Sequence, residues 1–441
     1  MTSIRPLLDT DVTMDPLVPT NCTFSSINDF PPDLFTQEQR ATGAIAIHIS
    51  VILYMCGVMG IVCNRYFIPS LEIASDACGL SSDVAGATFM AIGTSAPELF
   101  SSVIGSFITE GDIGVGTIVG SAVFNILGVT AVIGLAVGKK DLKIDWFPIS
   151  RDSVVYIMSV TLLIIIISDN FVSWYEAVIL LLFYGLYVAI MLFNTRLDKV
   201  AHYGIAYLSK KVKSTEYTAL LEETTVAQCN DDDNRKLPSP IFEVPNGGFF
   251  ALISWLIFLP ANIVLTCTIP DVRGQLRCLY PLTFLISVLW IGLSSYITVW
   301  MVTVGGYTLG VPDTISGLTI LATGTSVPEL FATVLVARSG KGNMALCSLL
   351  GSNIFDLLFC LGAPWLAKTV IANREILIQS LALTYTSITL LATIALLYSA
   401  MVIMKWKVNY LTGVLCLALY VIFITLACLY EFLMFGFSIP C

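Results

Sequence analysis

The chain has 441 residues, of which 56% are hydrophobic and only 12% charged, with a formal net charge of −9. Its mean hydropathy of +0.85 lies far outside the range of soluble globular domains and points to a membrane protein. No basic patch suited to nucleic acid is present, and twelve cysteines without a CxxC pair or Cys/His cluster argue against a zinc site.

Residues 1–43 are polar, with acids and prolines and no signal-like apolar stretch, and Asn21-Cys22-Thr23 is a glycosylation sequon that would place this tail outside the cell. Five spans are predicted next, near 44–64, 83–107, 115–138, 152–168 and 172–193, together forming a first transmembrane repeat over 44–193. A polar stretch over 194–247 follows and reads as a loop. With the N-terminus outside, Arg65, Lys139, Lys140, Lys143, Arg151 and the basic residues of that loop fall on the cytoplasmic side, as the positive-inside rule requires. An extra apolar segment and connector occupy 248–278, and a second transmembrane repeat runs over 279–441.

The repeats are visible as motifs. Gly86-Ala-Thr-Phe-Met-Ala-Ile-Gly-Thr-Ser-Ala-Pro-Glu98 matches Gly317-Leu-Thr-Ile-Leu-Ala-Thr-Gly-Thr-Ser-Val-Pro-Glu329, and Gly120-Ser-Ala-Val-Phe-Asn125 matches Gly351-Ser-Asn-Ile-Phe-Asp356, both at an offset of 231. Internal repeats mark secondary transporters. The turn at Thr109-Glu110-Gly111-Asp112 has no base, whereas its counterpart Arg338-Ser339-Gly340-Lys341 is basic, so the two repeats are predicted to face opposite ways. Inversion requires an even number of crossings between them. The lone apolar segment near 249–269, with Pro260 in its middle, is therefore expected to form a re-entrant or interfacial hairpin. The fold class expected is all-α: a polytopic membrane protein of two inverted five-helix repeats, ten core helices, plus one extra apolar segment.

Gly-Thr-Ser-x-Pro-Glu cannot continue an unbroken helix, because proline lacks a donor and glycine loosens the turn. Such breaks survive at membrane depth where they line a cavity. Carbonyls such as those of Ala91 and Ala322 are expected to be freed, and Thr94, Ser95, Thr325 and Ser326 to add hydroxyl ligands. Glu98, Glu329 and Asp356 lie deep in apolar segments without a basic partner in sequence, and with Asn125 they are expected to converge near the midplane. Oxygen-only ligands suit sodium, potassium and calcium. Three carboxylates match one divalent plus one monovalent cation, which makes Asp356 the candidate for a potassium requirement. Ser101 and Ser102 are read as packing residues, Asp152 and Glu176 as interfacial, and His48 and His202 have no assigned role.

At these residues the chain resembles the potassium-dependent sodium/calcium exchangers of the cation/calcium exchanger superfamily. The likeness extends to Phe67-Ile68-Pro69-Ser70-Leu71-Glu72, Trp174-Tyr175-Glu176, Pro270-Asp271-Val272-Arg273 and Val299-Trp300-Met301-Val302-Thr303, and runs from about 21 to 435 outside the polar loop. The resemblance implies an antiporter that works by alternating access; no cofactor is expected beyond its transported ions, and the membrane expected is the plasma membrane, with an intracellular organelle membrane as the alternative. It implies ligands from Thr94, Ser95, Glu98, Ser121 and Asn125 and from Thr325, Ser326, Glu329, Ser352 and Asp356. Family members often carry Ser at the position of Thr94 and Asp at that of Glu329. Other readings are a potassium-independent or proton-coupled exchanger, a cation channel, and an intramembrane protease, whose Tyr-Asp or Gly-x-Gly-Asp pair is missing. Inversion also puts Cys22 and Cys441 on one side, where a disulfide could join them.

Overall fold

The computed structural model describes residues 26–77, 91–109, 113–138, 142–192, 249–272, 277–338, 340, 342–377 and 381–435. Asn21, Cys22, Cys441, His202 and the polar stretch 194–247 lie outside them.

Among the described residues nearly all structure is helical, and eight helices are long and apolar enough to cross a membrane, or nine if one bent pair counts as a span. In chain order the helices are α1 (37–77), α2 (Ala91–Thr94), α3 (Ala96–Phe107), α4 (Ile113–Val137), α5 (Trp146–Ile167) and α6 (Trp174–Leu192). There follow α7 (Phe249–Thr268), α8 (Tyr280–Leu309), α9 (Asp313–Thr325), α10 (Val327–Arg338), α11 (Gly342–Ala372), α12 (Leu381–Ile403) and α13 (Tyr410–Phe435). The apolar stretches of α4 and α11 are 89% and 72% buried, against 17% for α6 and 28% for α13, so the first two form the centre and the others face lipid.

Two short ribbons establish the orientation of the halves. β1 (Leu142–Lys143) follows α4, and β3 (Ile376–Leu377) follows α11, at equivalent places in the repeats. β2 (Phe171–Val172) joins α5 to α6, and β4 (Lys407–Val408) joins α12 to α13, again equivalently. The pairs that form are β1 with β4 and β2 with β3, both antiparallel. A span separates β1 from β2, so they lie on opposite faces, and the same holds for β3 and β4. The equivalent strands β1 and β3 must then lie on opposite faces, which makes the halves inverted. The β1/β4 face carries Lys143, Lys405 and Lys407 with Asp145, whereas the β2/β3 face carries Asp169, Glu176 and Glu375 with Arg374. The charge asymmetry matches the expected sidedness.

Helices α1, α7 and α8 meet in two smaller apolar cores, which residues of α3, α4 and α9 also enter, beside the larger one built mainly by α4–α6 and α10–α13. Phe67 stacks on Phe284 and Ser295 meets Met59 Sδ at 3.3 Å, so α1 and α8 run antiparallel. Tyr54 stacks on Phe258 and Tyr66 bonds Thr266 at 3.3 Å, so α7 runs in the same direction as α1. The hairpin expected near 249–269 does not form. Phe249–Thr268 is one helix with Pro260 inside it, because the loss of one hydrogen bond bends a packed apolar helix without reversing it.

Residues 26–36 strap the acidic end of the bundle. The Ser26 N–H donates to Asp313 Oδ2 at 3.1 Å, and Phe30 packs on Tyr296 of α8. Asp33 receives Arg40 Nη1 at 2.9 Å and lies 3.0 Å from His48 Nε2, which gives His48 a structural place that its sequence neighbours do not show. Burial works against ionisation of Asp33, but hydrogen bonds from Arg40 and Leu34 and the charge of His48 outweigh it and hold the carboxyl below its usual range. The sign follows from linkage: a depressed pKa contributes stability above the ordinary carboxylate range, and that contribution is lost as pH falls through the lowered value. Asp33→Asn is therefore expected to cost about 1–2 kcal/mol at neutral pH. In thermal unfolding of the solubilised protein, the gap between variant and parent should close as pH falls below the ordinary carboxylate range.

Candidate functional site

The two Gly-Thr-Ser-x-Pro-Glu motifs form the breaks that their residues demand. Ser95, between α2 and α3, has φ −97° and ψ 14°, and Ser326, between α9 and α10, has φ −84° and ψ 3°. Both sit in the sparsely populated bridge region where many site residues are found. Pro97 and Pro328 open the helices that follow, and α9 and α10 meet at 44°. Ala322 is corrected here: its carbonyl accepts from Ser326 N–H at 3.3 Å and from Thr325 Oγ1 at 3.2 Å. A proline withdraws the donor for the carbonyl four residues earlier, so the carbonyls deprived are those of Gly93 and Gly324.

The second motif pair lies on the central helices. Asn125 falls in a π-helical turn, Phe124–Val129 of α4, and Asp356 opens the corresponding turn Asp356–Cys360 of α11. Such turns widen a helix and turn side chains off its regular face, frequently at functional sites. Glycine brings the central elements together. A Cβ on Gly116 would meet Thr314 O at 3.1 Å, one on Gly317 would meet Ile113 O at 2.7 Å, and one on Gly120 would collide with Leu318 O.

These elements collect the expected residues in one buried region. Ser95, Glu98, Ser121, Asn125, Ser326 and Asp356 are fully buried, Thr325, Glu329 and Ser352 nearly so, and Thr94 is half-buried. Contacts cross between the halves. Ser326 Oγ donates to Glu98 Oε1 at 3.1 Å, and Asn125 Nδ2 donates to Glu329 Oε2 at 2.7 Å. Ser352 Oγ also reaches Glu329 Oε1, and it lies 3.0 Å from Leu349 O. Ser121 turns its hydroxyl back to Ile118 O at 3.0 Å, as its counterpart Ser352 does to Leu349 O, but it reaches no carboxylate among the described residues.

The carboxylates do not close on one point: among the described residues no three His, Cys, Asp or Glu side chains form a single metal cluster. They are spread through the region with hydroxyls and an amide between them, because each half brings its carboxylates in on separate helices. No base pairs with them in the contacts of the described residues. Among the expected site residues, four buried oxygens are left without a donor: Ser95 Oγ, Glu98 Oε2, Asn125 Oδ1 and Asp356 Oδ2. A buried acceptor in that state costs free energy, and all four are hard-cation ligand types.

Some readings change. Asp152, expected at the interface, is fully buried and held by Arg151 through contacts of 2.8 and 3.0 Å. It lies nearly two turns inside α5, where only a paired charge is tolerable. Ser101 and Ser102 lie where α3 crosses α4 at the Gly105–Gly114 approach, as packing residues would. Sequence reasoning missed Asn353, which accepts from Asn125 Nδ2 at 3.1 Å through Oδ1. The signal available was the amide at 353 where the first repeat has Ala122. It also missed Cys360, whose thiol lies 3.6 Å from Asp356 Oδ1 and 3.9 Å from Ser95 O. Lys368 is buried, and its Nζ donates to Ser106 O at the end of α3 at 2.5 Å.

The glycine contacts give a test independent of the ligands. Gly120→Ala is expected to cost about 2–3 kcal/mol by forcing α4 off α9. Gly185→Ala, which meets nothing within 4 Å, should be neutral in the same thermal-unfolding measurement.

The family profile described as "Sodium/calcium exchanger protein" matches residues 48–193 and 279–429. Sodium/potassium/calcium exchanger 5 of Homo sapiens is 40% identical over 93% of this chain and 89% of its own length. Sodium/potassium/calcium exchanger 4 of Homo sapiens is 32% identical over 95% of this chain and 86% of its own. Among solved structures, the sodium-calcium exchanger NCX_Mj aligns over 86% of this chain and 98% of its own with a TM-score of 0.48 and 21% identity.

Proposed function

The chain belongs to the sodium/calcium exchanger protein family, and from that premise we propose that it is a secondary active antiporter exchanging sodium for calcium together with potassium by alternating access. The observation that carries this reading is the set of four donorless buried oxygens beside three carboxylates without a basic partner among the described residues. Their electrostatics ask for mobile cations. With all three carboxylates ionised, one divalent and one monovalent cation neutralise the site, whereas a divalent ion alone leaves it negative. The relatives named above are sodium/potassium/calcium exchangers, which agrees with that balance.

The ligands proposed are Thr94, Ser95, Glu98, Ser121 and Asn125 from the first half and Thr325, Ser326, Glu329, Ser352 and Asp356 from the second. No resident cofactor and no catalytic chemistry enter this reading. The membrane proposed is the plasma membrane, where a sodium gradient can drive exchange.

Calcium uptake into vesicles driven by a sodium gradient, with and without potassium, tests the whole reading. Uptake is expected only when both sodium and potassium are supplied on the proper sides, and equal uptake without potassium would favour a potassium-independent exchanger. Glu98→Gln should lower uptake by about 100-fold or more while the protein stays in the membrane. Asp356→Asn should relax the potassium requirement, because removal of one negative charge removes the need for the monovalent ion. A variant with an unchanged potassium requirement would refute that role.

A further inference from the structure

Asp356 and Glu98 each keep one buried oxygen without a partner. Glu329 is reached by Ser352 and Asn125, and Glu98 by Ser326. The Asp356 Oδ1 atom has the Cys360 thiol at 3.6 Å, a weak donor, and its Oδ2 has no partner. Of the buried hydroxyls without a partner, which also include those of Ser101, Thr130, Ser287 and Ser316, two bear on Asp356. One is Ser95, whose carbonyl faces the same thiol at 3.9 Å. The other is Tyr156, on α5, outside both repeat motifs.

The ring of Tyr156 is fully buried. Helix α5 packs on the π turn that starts at Asp356, and Asp356 is the charged side chain whose field reaches Tyr156. Buried tyrosines ordinarily find a hydrogen-bond partner, and an unsatisfied one is destabilising. Of the buried residues one turn away on either side, Asp152 is held by Arg151, Ser159 bonds Val155 O at 2.9 Å, Val160 is apolar, and Ser153 makes no hydrogen bond to the phenol. Packing alone would be served by phenylalanine.

We propose that Tyr156 is a further residue of the ion site, supplying a neutral hydroxyl oxygen beside Asp356 and thereby setting affinity for the monovalent cation, with Cys360 as the positioning residue for the Asp356 carboxylate. This rests on the assignment of Asp356 made above. One carboxylate with neutral oxygens from Ser95 and Tyr156 is a donor set of low charge, suited to a monovalent ion. The carboxylates Glu98 and Glu329 remain for the divalent one.

The test is sodium-driven calcium uptake in vesicles, titrated separately with potassium and with calcium. In Tyr156→Phe the half-saturating potassium concentration is expected to rise about tenfold, with that for calcium changed by less than about twofold. An unchanged potassium titration, or equal rises for both ions, overturns the proposal. Cys360→Ala should shift the potassium titration in the same direction, and Cys360→Ser, which keeps a donor, should restore it. Should Tyr156→Phe fail to reach the membrane, the Cys360 pair decides, and potassium titrations identical to the parent in both overturn it. A parent protein whose uptake ignores potassium defeats the earlier reading of Asp356, an outcome distinct from a potassium-dependent parent with an indifferent Tyr156→Phe.

Discussion

Negative side chains buried in an apolar bundle without a positive partner are the constraint from which the rest of this structure follows. A carboxylate at bilayer depth costs a few kcal/mol even on the mildest scales. Glu98, Glu329 and Asp356 are three of them, and the contacts around them are hydroxyls, an amide and a thiol. Protein donors satisfy part of their capacity and leave oxygens open. A fixed lysine or arginine would neutralise such a site permanently. Its lack among the described contacts leaves neutralisation to ions that come and go.

The architecture makes the site depend on both halves. Ser326 of the second half holds Glu98 of the first, and Asn125 of the first holds Glu329 of the second. The ribbons β1/β4 and β2/β3 tie the same halves together at the two faces. Between them, close helix crossings at Gly105–Gly114, Gly116–Thr314 and Gly134–Gly413 leave no room for side chains. Helices α1, α7 and α8 pack beside the larger core through two smaller apolar cores that Ala96 and Ile104 of α3, Ile113 of α4 and Leu321 of α9 also enter.

Where expectation and structure part, the reason lies in what a helix can satisfy locally. Pro260 suggested a reversal, but one missing donor is tolerated inside a packed helix. The Ala322 carbonyl was expected to be open, yet the turn closes on it through Ser326 and Thr325, and the deprived carbonyl lies two residues further along. Asp152 read as interfacial from its place near a span end. Its partner is the adjacent Arg151, and the tilt of α5 buries the pair.

The sequence by itself determined the membrane class, the duplicated motifs, the opposed orientation of the halves and the identity of the central carboxylates. Composition, periodicity and charge are local or additive properties that need no coordinates. Only the tertiary structure decided which atoms meet. Asn353 joins Asn125 across 228 positions, Cys360 reaches Ser95 across 265, and His48 finds Asp33 at the strap. Tyr156 carries no motif at all, and its unpaired hydroxyl becomes visible only when α5 is laid against the turn at Asp356. Residues that act through a neighbour brought in from another helix leave no spacing pattern in one sequence, because the helix crossings that join them are set by the packing of the whole bundle.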